Sequence, residues 1–163
     1  MVAKDTLAKL ELFVGLPDKA LLEIAALARE FSFPPHTAIF SPEQTSRQIY
    51  MLLEGSVALT VFAPPLTKPV TMAVLTTPGQ AFGFSAVIGQ GHHDSSAEAV
   101  TSVRGIEVDG PALLKYLEKD PEIGYMVMTR VARVISRRLG TLRRMHLETL
   151  IDYERQASAT DEN

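Results

Sequence analysis

The sequence predicts a mainly β domain, a β-barrel or β-sandwich flanked by helices and followed by one long C-terminal helix. Between residues 32 and 108, six or more short apolar stretches alternate with proline and glycine turns, a pattern typical of short strands. A helical spacing of apolar residues precedes them, and no proline interrupts the chain from Ile123 to Gln156. Short strands between two helical regions therefore define the fold class.

Length and composition indicate one ordinary globular domain. The chain has 163 residues, of which 46% are hydrophobic and 21% charged, enough to bury a full core. We expect a single domain over residues 1–156, followed by a frayed polar tail at 157–163. Within the domain, N-terminal helices are expected at 10–31, the barrel at 32–108, and helices that include a dimerisation helix at 109–156.

Charge and cysteine content exclude several functional classes. No apolar run approaches the roughly 18 residues that span a bilayer, and the N-terminus lacks the apolar core of a signal peptide, so a cytoplasmic location without membrane contact is expected. The absence of cysteine excludes disulfides and thiolate metal ligands. The net charge of -3 gives no overall attraction to nucleic acid or anionic membranes.

The first elements follow from spacing and turn residues. Pro17–Phe31 places apolar residues at helical intervals and predicts an amphipathic helix. Prolines then interrupt short apolar pieces up to residue 42, which favours brief strands. Ile49–Leu53 and Ser56–Phe62, joined by Glu54-Gly55, form the strongest hairpin signal in the chain. Further strands are predicted at Val70–Leu75, after the proline-rich loop Ala63–Pro69, and at Val103–Val108.

The segment Pro78–Val100, called here the cassette segment, is the candidate functional site. A strand enters a tight turn at Gly83, and one helical turn is predicted at Ser85–Ile88. A polar loop from Gly89 to Ser96 then leads into the next strand. A glycine that opens a short helix leaves backbone N–H groups pointing outward, which favours an anion. The expected ligand-binding residues are Gly83, Phe84, Ser85, Ala86, His93, Asp94, Ser95 and Ser96.

The C-terminal third predicts two helices and a dimer. Asp109 and Asp120 each precede a proline in a pattern typical of helix starts. In the second helix, apolar residues recur at alternating intervals of three and four, as in a helix-pairing seam. Homodimerisation through this helix is the expected consequence. The predicted interface residues are Met128, Ala132, Ile135, Leu139 and Leu142.

Several stretches together resemble the cyclic nucleotide-binding domain superfamily, which includes the catabolite activator and fumarate/nitrate regulators. Leu10–Ala28 resembles its first helices, and Ile49–Gly55 resembles its barrel strands. Gly79–Gly83 resembles the start of its phosphate-binding cassette, and Ser136–Leu139 its long C-helix. The resemblance implies an eight-stranded jelly-roll barrel. The DNA-reading helix-turn-helix that follows the C-helix in the transcription regulators has no counterpart in these 163 residues.

The cassette segment departs from the family pattern at both charged ligand contacts. Family members carry a glutamate for the ribose after the cassette glycine, where this chain has Phe84. They also carry an arginine for the cyclic phosphate, where this chain reads His92-His93-Asp94. Each charge-assisted hydrogen bond contributes roughly 1.5–3 kcal/mol, so losing both weakens binding on the order of 10²–10⁴-fold. The Phe84 ring is expected to fill the ribose site, while the backbone cradle suits a cyclic nucleotide or another small phosphate-bearing anion.

The overall prediction is a regulatory or sensory domain without catalytic activity, with weak or lost cyclic nucleotide binding and signalling through a dimeric C-helix. The alternatives are a ligand-free dimerisation and protein-interaction scaffold, or the sensory part of a transcription regulator. A metal site at His92-His93 is not expected, because adjacent histidines on a glycine loop project apart. Nucleic acid is not an expected partner either, because the C-helix arginines are spread over several faces.

Overall fold

Eight strands in two sheets, with five helices, make up the described part of the protein. The computed structural model describes residues 2–42, 44–62, 64–65, 67–88 and 91–161. The strands are β1 Ala28–Phe33, β2 Thr37–Phe40, β3 Gln48–Glu54, β4 Val57–Val61, β5 Val70–Leu75, β6 Ala81–Phe82, β7 Ser96–Ala99 and β8 Val103–Asp109. The helices are α1 Lys4–Leu7, α2 Asp18–Ala26, α3 Ser85–Ile88, α4 Gly110–Lys119 and α5 Pro121–Asp161.

The sheets pair in the order expected of a jelly roll. One antiparallel sheet has the strand order β1-β8-β3-β6, and the other has the order β2-β7-β4-β5. The eight-stranded barrel with a long C-terminal helix is therefore confirmed. The chain divides into two compact units, Met1–Val131 and Ala132–Asn163, and the first contains the whole barrel. No helix in the described part of the chain is both long and apolar enough to cross a membrane.

The barrel core lies between the inner faces of the two sheets. Successive strand residues point to opposite faces, so Tyr50 and Leu52 of β3 point into this core. Every strand except β1 contributes a buried residue, and Phe31 and Phe33 of β1 pack against the cluster. The buried members are Phe40, Tyr50, Leu52, Val57, Leu75, Phe82, Ala97, Ala99 and Val103.

The predicted helix starts are confirmed at both C-terminal helices. The Asp109 carboxylate accepts a hydrogen bond from the Ala112 N–H at 2.8 Å, which caps α4. The Asp120 carboxylate accepts from the Ile123 N–H at 3.3 Å at the start of α5. The prolines that follow these aspartates fit the first helical positions because those positions need no N–H donor.

The helix predicted over Pro17–Phe31 is too long. It ends at Ala26 with Leu27 as its C-cap, and β1 begins at Ala28, four residues before the expected start of the barrel. Phe31 fits both the helical and the strand pattern, because it lies at helical spacing from Leu27 and also alternates with Phe33. Pairing of β1 with β8 along its whole length decides in favour of the strand.

The hairpin predicted around Glu54-Gly55 is wrong, although both strands exist. Strand β3 pairs with β6 and β8, whereas β4 pairs with β5 and β7, so the turn carries the chain from one sheet to the other. Gly55 has a φ of 92°, and a Cβ there would lie 2.1 Å from the Ser102 carbonyl oxygen. The glycine marks a close backbone crossing between sheets, a contact that local sequence does not reveal.

The C-terminal end of α5 and the end of β4 also differ from the expectation. Helix α5 continues to Asp161, so residues 157–161 are helical where a frayed tail is expected. Strand β4 ends at Val61, one residue before the predicted Phe62. Within the predicted loops, Ala63, Leu66, Gly89 and Gln90 lie outside the described residues.

Gly105 in β8 provides a test of barrel packing. A Cβ at this position would lie 2.4 Å from the Met51 carbonyl oxygen and 2.5 Å from Cζ of Phe31. We expect Gly105→Ala to lower the free energy of unfolding by about 1–3 kcal/mol, because neither backbone nor ring can yield without strain. Urea denaturation measures the change. Gly140→Ala, where no atom lies within 4 Å of the added carbon, is the control and should not lower stability; equal stability of both variants would contradict the packing argument.

Candidate functional site

The cassette segment begins with a glycine that no other residue can replace without strain. Gly83 follows β6 with a φ of 76°. A Cβ on Gly83 would lie 2.9 Å from Cδ2 of Tyr50 and 3.0 Å from the Gln48 carbonyl oxygen. Helix α3 then follows over Ser85–Ile88, as the sequence predicts. The turn is tight because β6 pairs directly with β3, which carries both of these neighbours.

The N-terminal side of the cassette segment is held by two parts of the chain. The Glu11 carboxylate accepts a hydrogen bond from the Ala81 N–H at 2.6 Å, and the Glu11 N–H donates to the Gly79 carbonyl at 3.3 Å. Leu52 of β3 donates to the Gln80 carbonyl at 2.9 Å and accepts from the Gly79 N–H at 2.7 Å. These four bonds fix the backbone just before the cassette helix.

The C-terminal side is held by the connection between β2 and β3. The Ser46 N–H donates to the Gly91 carbonyl at 3.0 Å, and the His93 N–H donates to the Gln44 carbonyl at 3.1 Å. An isolated antiparallel bridge joins Thr45 and His92 between them. The polar loop that leads out of the cassette is therefore paired with a second segment at its far end.

Helix α3 also rests against the first turn of α4. A Cβ on Gly110 would lie 2.6 Å from the Ala86 carbonyl oxygen and 2.7 Å from the Ala86 Cβ, so glycine allows this close approach. The Gly110 N–H donates to the Arg47 carbonyl at 2.7 Å. Position 110 thus joins the cassette helix, α4 and the start of β3 at one point.

The barrel interior beside the cassette segment contains a cluster of aromatic rings. Tyr50 and Phe82 stack with ring centroids 5.2 Å apart and an interplanar angle of 17°. Phe40 lies 5.8 Å from Tyr50 and 6.2 Å from Phe82, and Phe31 meets Tyr50 edge-on at 5.5 Å. Such pairs contribute roughly 0.5–1.5 kcal/mol each beyond the area they bury. Burial, followed by the charge of Glu107, raises the pKa of Tyr50 to about 12, so its hydroxyl stays protonated.

His93 joins this aromatic cluster from the cassette segment. Its ring stacks on Phe40 with centroids 3.7 Å apart and planes 8° from parallel, and the residue is only 6% exposed. Burial lowers the pKa of His93 below its usual 6.5, and the neighbouring Asp94 carboxylate offsets part of this effect. The imidazole is therefore neutral at pH 7 and acts as an aromatic core residue.

The remaining predicted site residues are divided between the interior and the surface. Phe84 and Ser85 are buried, at 9% and 8% exposure, and Ala86 is buried with them. The Ala86 N–H donates to the Gly83 carbonyl at 3.3 Å, so this member of the expected anion cradle already has an acceptor. In the outgoing loop, Asp94 is exposed and accepts a hydrogen bond from the Ser95 hydroxyl at 3.1 Å. Ser96 opens β7 and is half-buried.

Sequence reasoning missed Phe40, Tyr50 and Phe82 as determinants of the site. The local sequence places each of these residues only in a strand or a turn, because a ring contact between residues distant in the sequence has no local signature. The available signal is that Tyr50 and Leu52 lie two residues apart in a strand, which places them on one face. The buried Ser46 hydroxyl, which has no hydrogen-bond partner among the described residues, was also missed.

A cavity lies away from the predicted cassette residues, at one end of the β1-β8-β3 surface. It has a volume of about 390 Å³, and its lining includes Arg29, Arg47, Glu107 and Asp109. The Arg29 guanidinium pairs with Glu107, and Asp109 caps α4. Two positive and two negative side chains balance one another, so the cavity has no net charge to select an ion.

Comparison with protein families identifies the family to which this jelly-roll domain belongs. The chain matches the model of the cyclic nucleotide-binding domain over residues 30–120, more than half of its length. The chain belongs to the cyclic nucleotide-binding domain family. The match covers β2 to β8 and α4 completely, including the whole cassette segment. The family resemblance seen in the sequence is confirmed.

Individual relatives agree with this assignment. The CRP-like cAMP-activated global transcriptional regulator of Mycobacterium tuberculosis H37Rv is 25% identical over 135 residues, which cover 83% of this chain and 58% of the relative. A solved Geobacter metallireducens GS-15 structure is 31% identical with a TM-score of 0.75, covering 85% of this chain and 99% of that one. Thermus thermophilus catabolite activator protein is 23% identical with a TM-score of 0.67, covering 86% and 62%, and supports the fold alone.

The predicted dimer residues lie along α5 of this cyclic nucleotide-binding domain. Met128, in the first unit, is half-buried. In the second unit, Ala132 is exposed, Ile135 is 37% exposed and Leu139 is 66% exposed, while Leu142 is half-buried. Three of these five side chains therefore face solvent.

Protonation of His93 should destabilise the fold. The pKa of His93 is lowered by folding, so below about pH 6.5 the unfolded chain binds more protons than the folded one. Stability is therefore full above this pH and falls as the pH drops towards the folded-state pKa, at no more than about 1.4 kcal/mol per pH unit. Urea denaturation between pH 7.5 and 5 should show the fall in the wild type and a shallower one in His93→Phe. Parallel pH profiles would show that His93 carries no such linkage.

Proposed function

We propose that this protein is a non-enzymatic regulatory domain whose cassette binds cyclic nucleotides weakly or not at all, and which acts as a dimer through α5. The observation that carries the proposal is the burial of Phe84 and His93. Both occur where the family resemblance implies a charged ligand contact, and both are less than a tenth exposed.

Binding of a cyclic nucleotide depends on how the charge of its phosphate is compensated. A cyclic nucleotide carries a phosphate that must lose water when it binds, and that cost is recovered by cationic donors. In this cassette the neutral His93 ring faces Phe40, and the exposed neighbour Asp94 carries a negative charge. The Ser85, Ser95 and Ser96 hydroxyls offer neutral hydrogen bonds, each with a net contribution of about 1 kcal/mol. They do not replace a glutamate and an arginine.

Two observations extend the proposal to the wider protein. The M. tuberculosis relative, which is 25% identical over 135 residues, is a transcriptional regulator, which favours a sensory role in such a regulator. The aromatic cluster in the barrel interior favours the alternative of a scaffold that dimerises and presents a protein-binding surface without any ligand. Both roles use the same exposed helix and differ in whether the cassette responds to a small molecule.

The dimer proposal rests on α5. Ile135 and Leu139 lie on one side of the helix and are exposed to solvent. Exposed leucine and isoleucine repeated at seam spacing gain free energy when a second helix covers them, at about 25 cal/mol per Å² of apolar surface removed from water. A second copy offers the same seam by symmetry.

Cyclic nucleotide binding is tested by thermal melting with cyclic AMP, cyclic GMP and inorganic phosphate at up to 1 mM. We expect no saturable rise in Tm for the wild type, because the loss of two charged contacts weakens binding on the order of 10²–10⁴-fold. The double variant Phe84→Glu, Asp94→Arg should gain a measurable rise. A ligand present at 100 times its Kd stabilises the folded state by about 2.7 kcal/mol. A wild-type rise in Tm that corresponds to this stabilisation would refute the proposed loss of binding.

Dimerisation is tested by sedimentation velocity of the wild type and of Leu139→Glu. We expect a wild-type dimer and a monomeric variant, because a carboxylate at the seam would have to be buried without a partner. Leu22→Glu is the matched control, since Leu22 lies on α2 and is 58% exposed, close to the 66% of Leu139. A wild-type monomer, or a dimer that survives Leu139→Glu, would exclude the α5 seam.

A further inference from the structure

The arginines of α5 are concentrated in a stretch without any acidic residue. Between Ile123 and Leu147 the sequence contains six arginines and no Lys, Asp or Glu. The stretch carries a formal charge of +6 in a chain whose net charge is -3, so all other residues together carry -9. The arginines are Arg130, Arg133, Arg137, Arg138, Arg143 and Arg144.

The continuous helix places three of them in one line. Arg133, Arg137 and Arg144 lie in the second unit and are exposed. At 3.6 residues per turn they fall within an arc of roughly 40° on the helix surface. At 1.5 Å per residue the line is roughly 17 Å long. We call these three residues the arginine column.

The arginine column faces away from the proposed dimer seam. By the same helical rotation, Ile135 and Leu139 lie on the opposite side of α5. The column therefore stays accessible whether or not the seam is covered by a second copy. Arg130, one turn before the column, has a different use, because its guanidinium donates to the Leu12 carbonyl at 3.0 Å.

We propose that the arginine column binds the phosphate backbone of a nucleic acid without reading its sequence. A guanidinium presents two parallel N–H donors that match two phosphate oxygens. A duplex is a stiff polyanion with one charge per roughly 1.7 Å of axis, so several phosphates lie within reach of a straight 17 Å column. Binding also releases condensed counterions, which an isolated exposed ion pair does not do.

A nucleic acid fits this surface better than an acidic polypeptide does. Both the column and the duplex are stiff, so neither loses much conformational freedom when they associate. An acidic peptide of this charge density is disordered and must be ordered to follow the helix. The proposal departs from the sequence expectation, in which nucleic acid is not an expected partner because the arginines occupy several faces. Three of the six share one face, and no acidic side chain of α5 interrupts it between residues 123 and 147.

The test is fluorescence anisotropy of a labelled 30-base-pair DNA duplex of random sequence, titrated with the full chain between 50 and 300 mM NaCl. We expect binding that weakens with salt, with a slope of log K against log [NaCl] of about -2.7 for three phosphate contacts. The variant R133Q/R137Q/R144Q should lose most of this slope and at least about tenfold in affinity at 50 mM NaCl. The variant R133K/R137K/R144K, which keeps the charge, should retain the slope.

The matched control removes the same charge elsewhere. Lys19, Lys68 and Lys115 are exposed and lie outside α5, so K19Q/K68Q/K115Q should bind the duplex as the wild type does. An equal loss in this control would overturn the column as the site. Absence of wild-type binding at 50 mM NaCl would overturn the proposal altogether, as would displacement of the duplex by poly-glutamate at equal charge concentration. Circular dichroism of every variant checks that helix content is unchanged.

Discussion

The stacking of His93 on Phe40 is the contact on which the arrangement of the cassette depends. Phe40 belongs to one sheet, while Tyr50 and Phe82 belong to the other, so the aromatic cluster joins the two halves of the barrel. Because His93 adds a ring from the cassette loop itself, the loop is held by a core contact as well as by its backbone bonds. The stack requires a neutral imidazole, since a charged ring would have to be desolvated among apolar neighbours.

The backbone arrangement of the cassette segment and the chemistry of its side chains have different physical origins. The glycine turn, the short helix and the paired outgoing loop are all present, held by contacts with β3, Glu11 and the first turn of α4. These contacts are structural and need no ligand. At the positions where the family resemblance implies charged ligand contacts, this chain has the buried rings of Phe84 and His93, which pack into the fold. Under the proposed function, the cassette segment keeps its backbone arrangement while the side chains at these positions contribute to the core.

The sequence predicted most of this fold because its strong signals are local. Strand alternation, the aspartate caps at 109 and 120, and the one-turn helix at Ser85–Ile88 depend on neighbouring residues, and the structure confirms them. The errors share a different cause. Helix α2 ends early because β8 pairs with the residues after it, and Gly55 crosses between sheets because of its contact with Ser102. The inward turn of His93 likewise depends on Phe40, 53 positions away in the sequence, so spacing could not reveal it.

The distribution of charge indicates where this domain can interact with other molecules. The barrel core beside the cassette is apolar, and the charged cavity lined by Arg29 and Glu107 has no net charge. Helix α5 differs from both, because it combines exposed apolar residues with six arginines in a stretch, residues 123–147, that contains no acidic residue. Holding several positive charges close together on one helix costs electrostatic free energy, because like charges repel one another. Such a cost is recovered when a partner covers the surface, so the helix is the part of this domain best suited to carry its output.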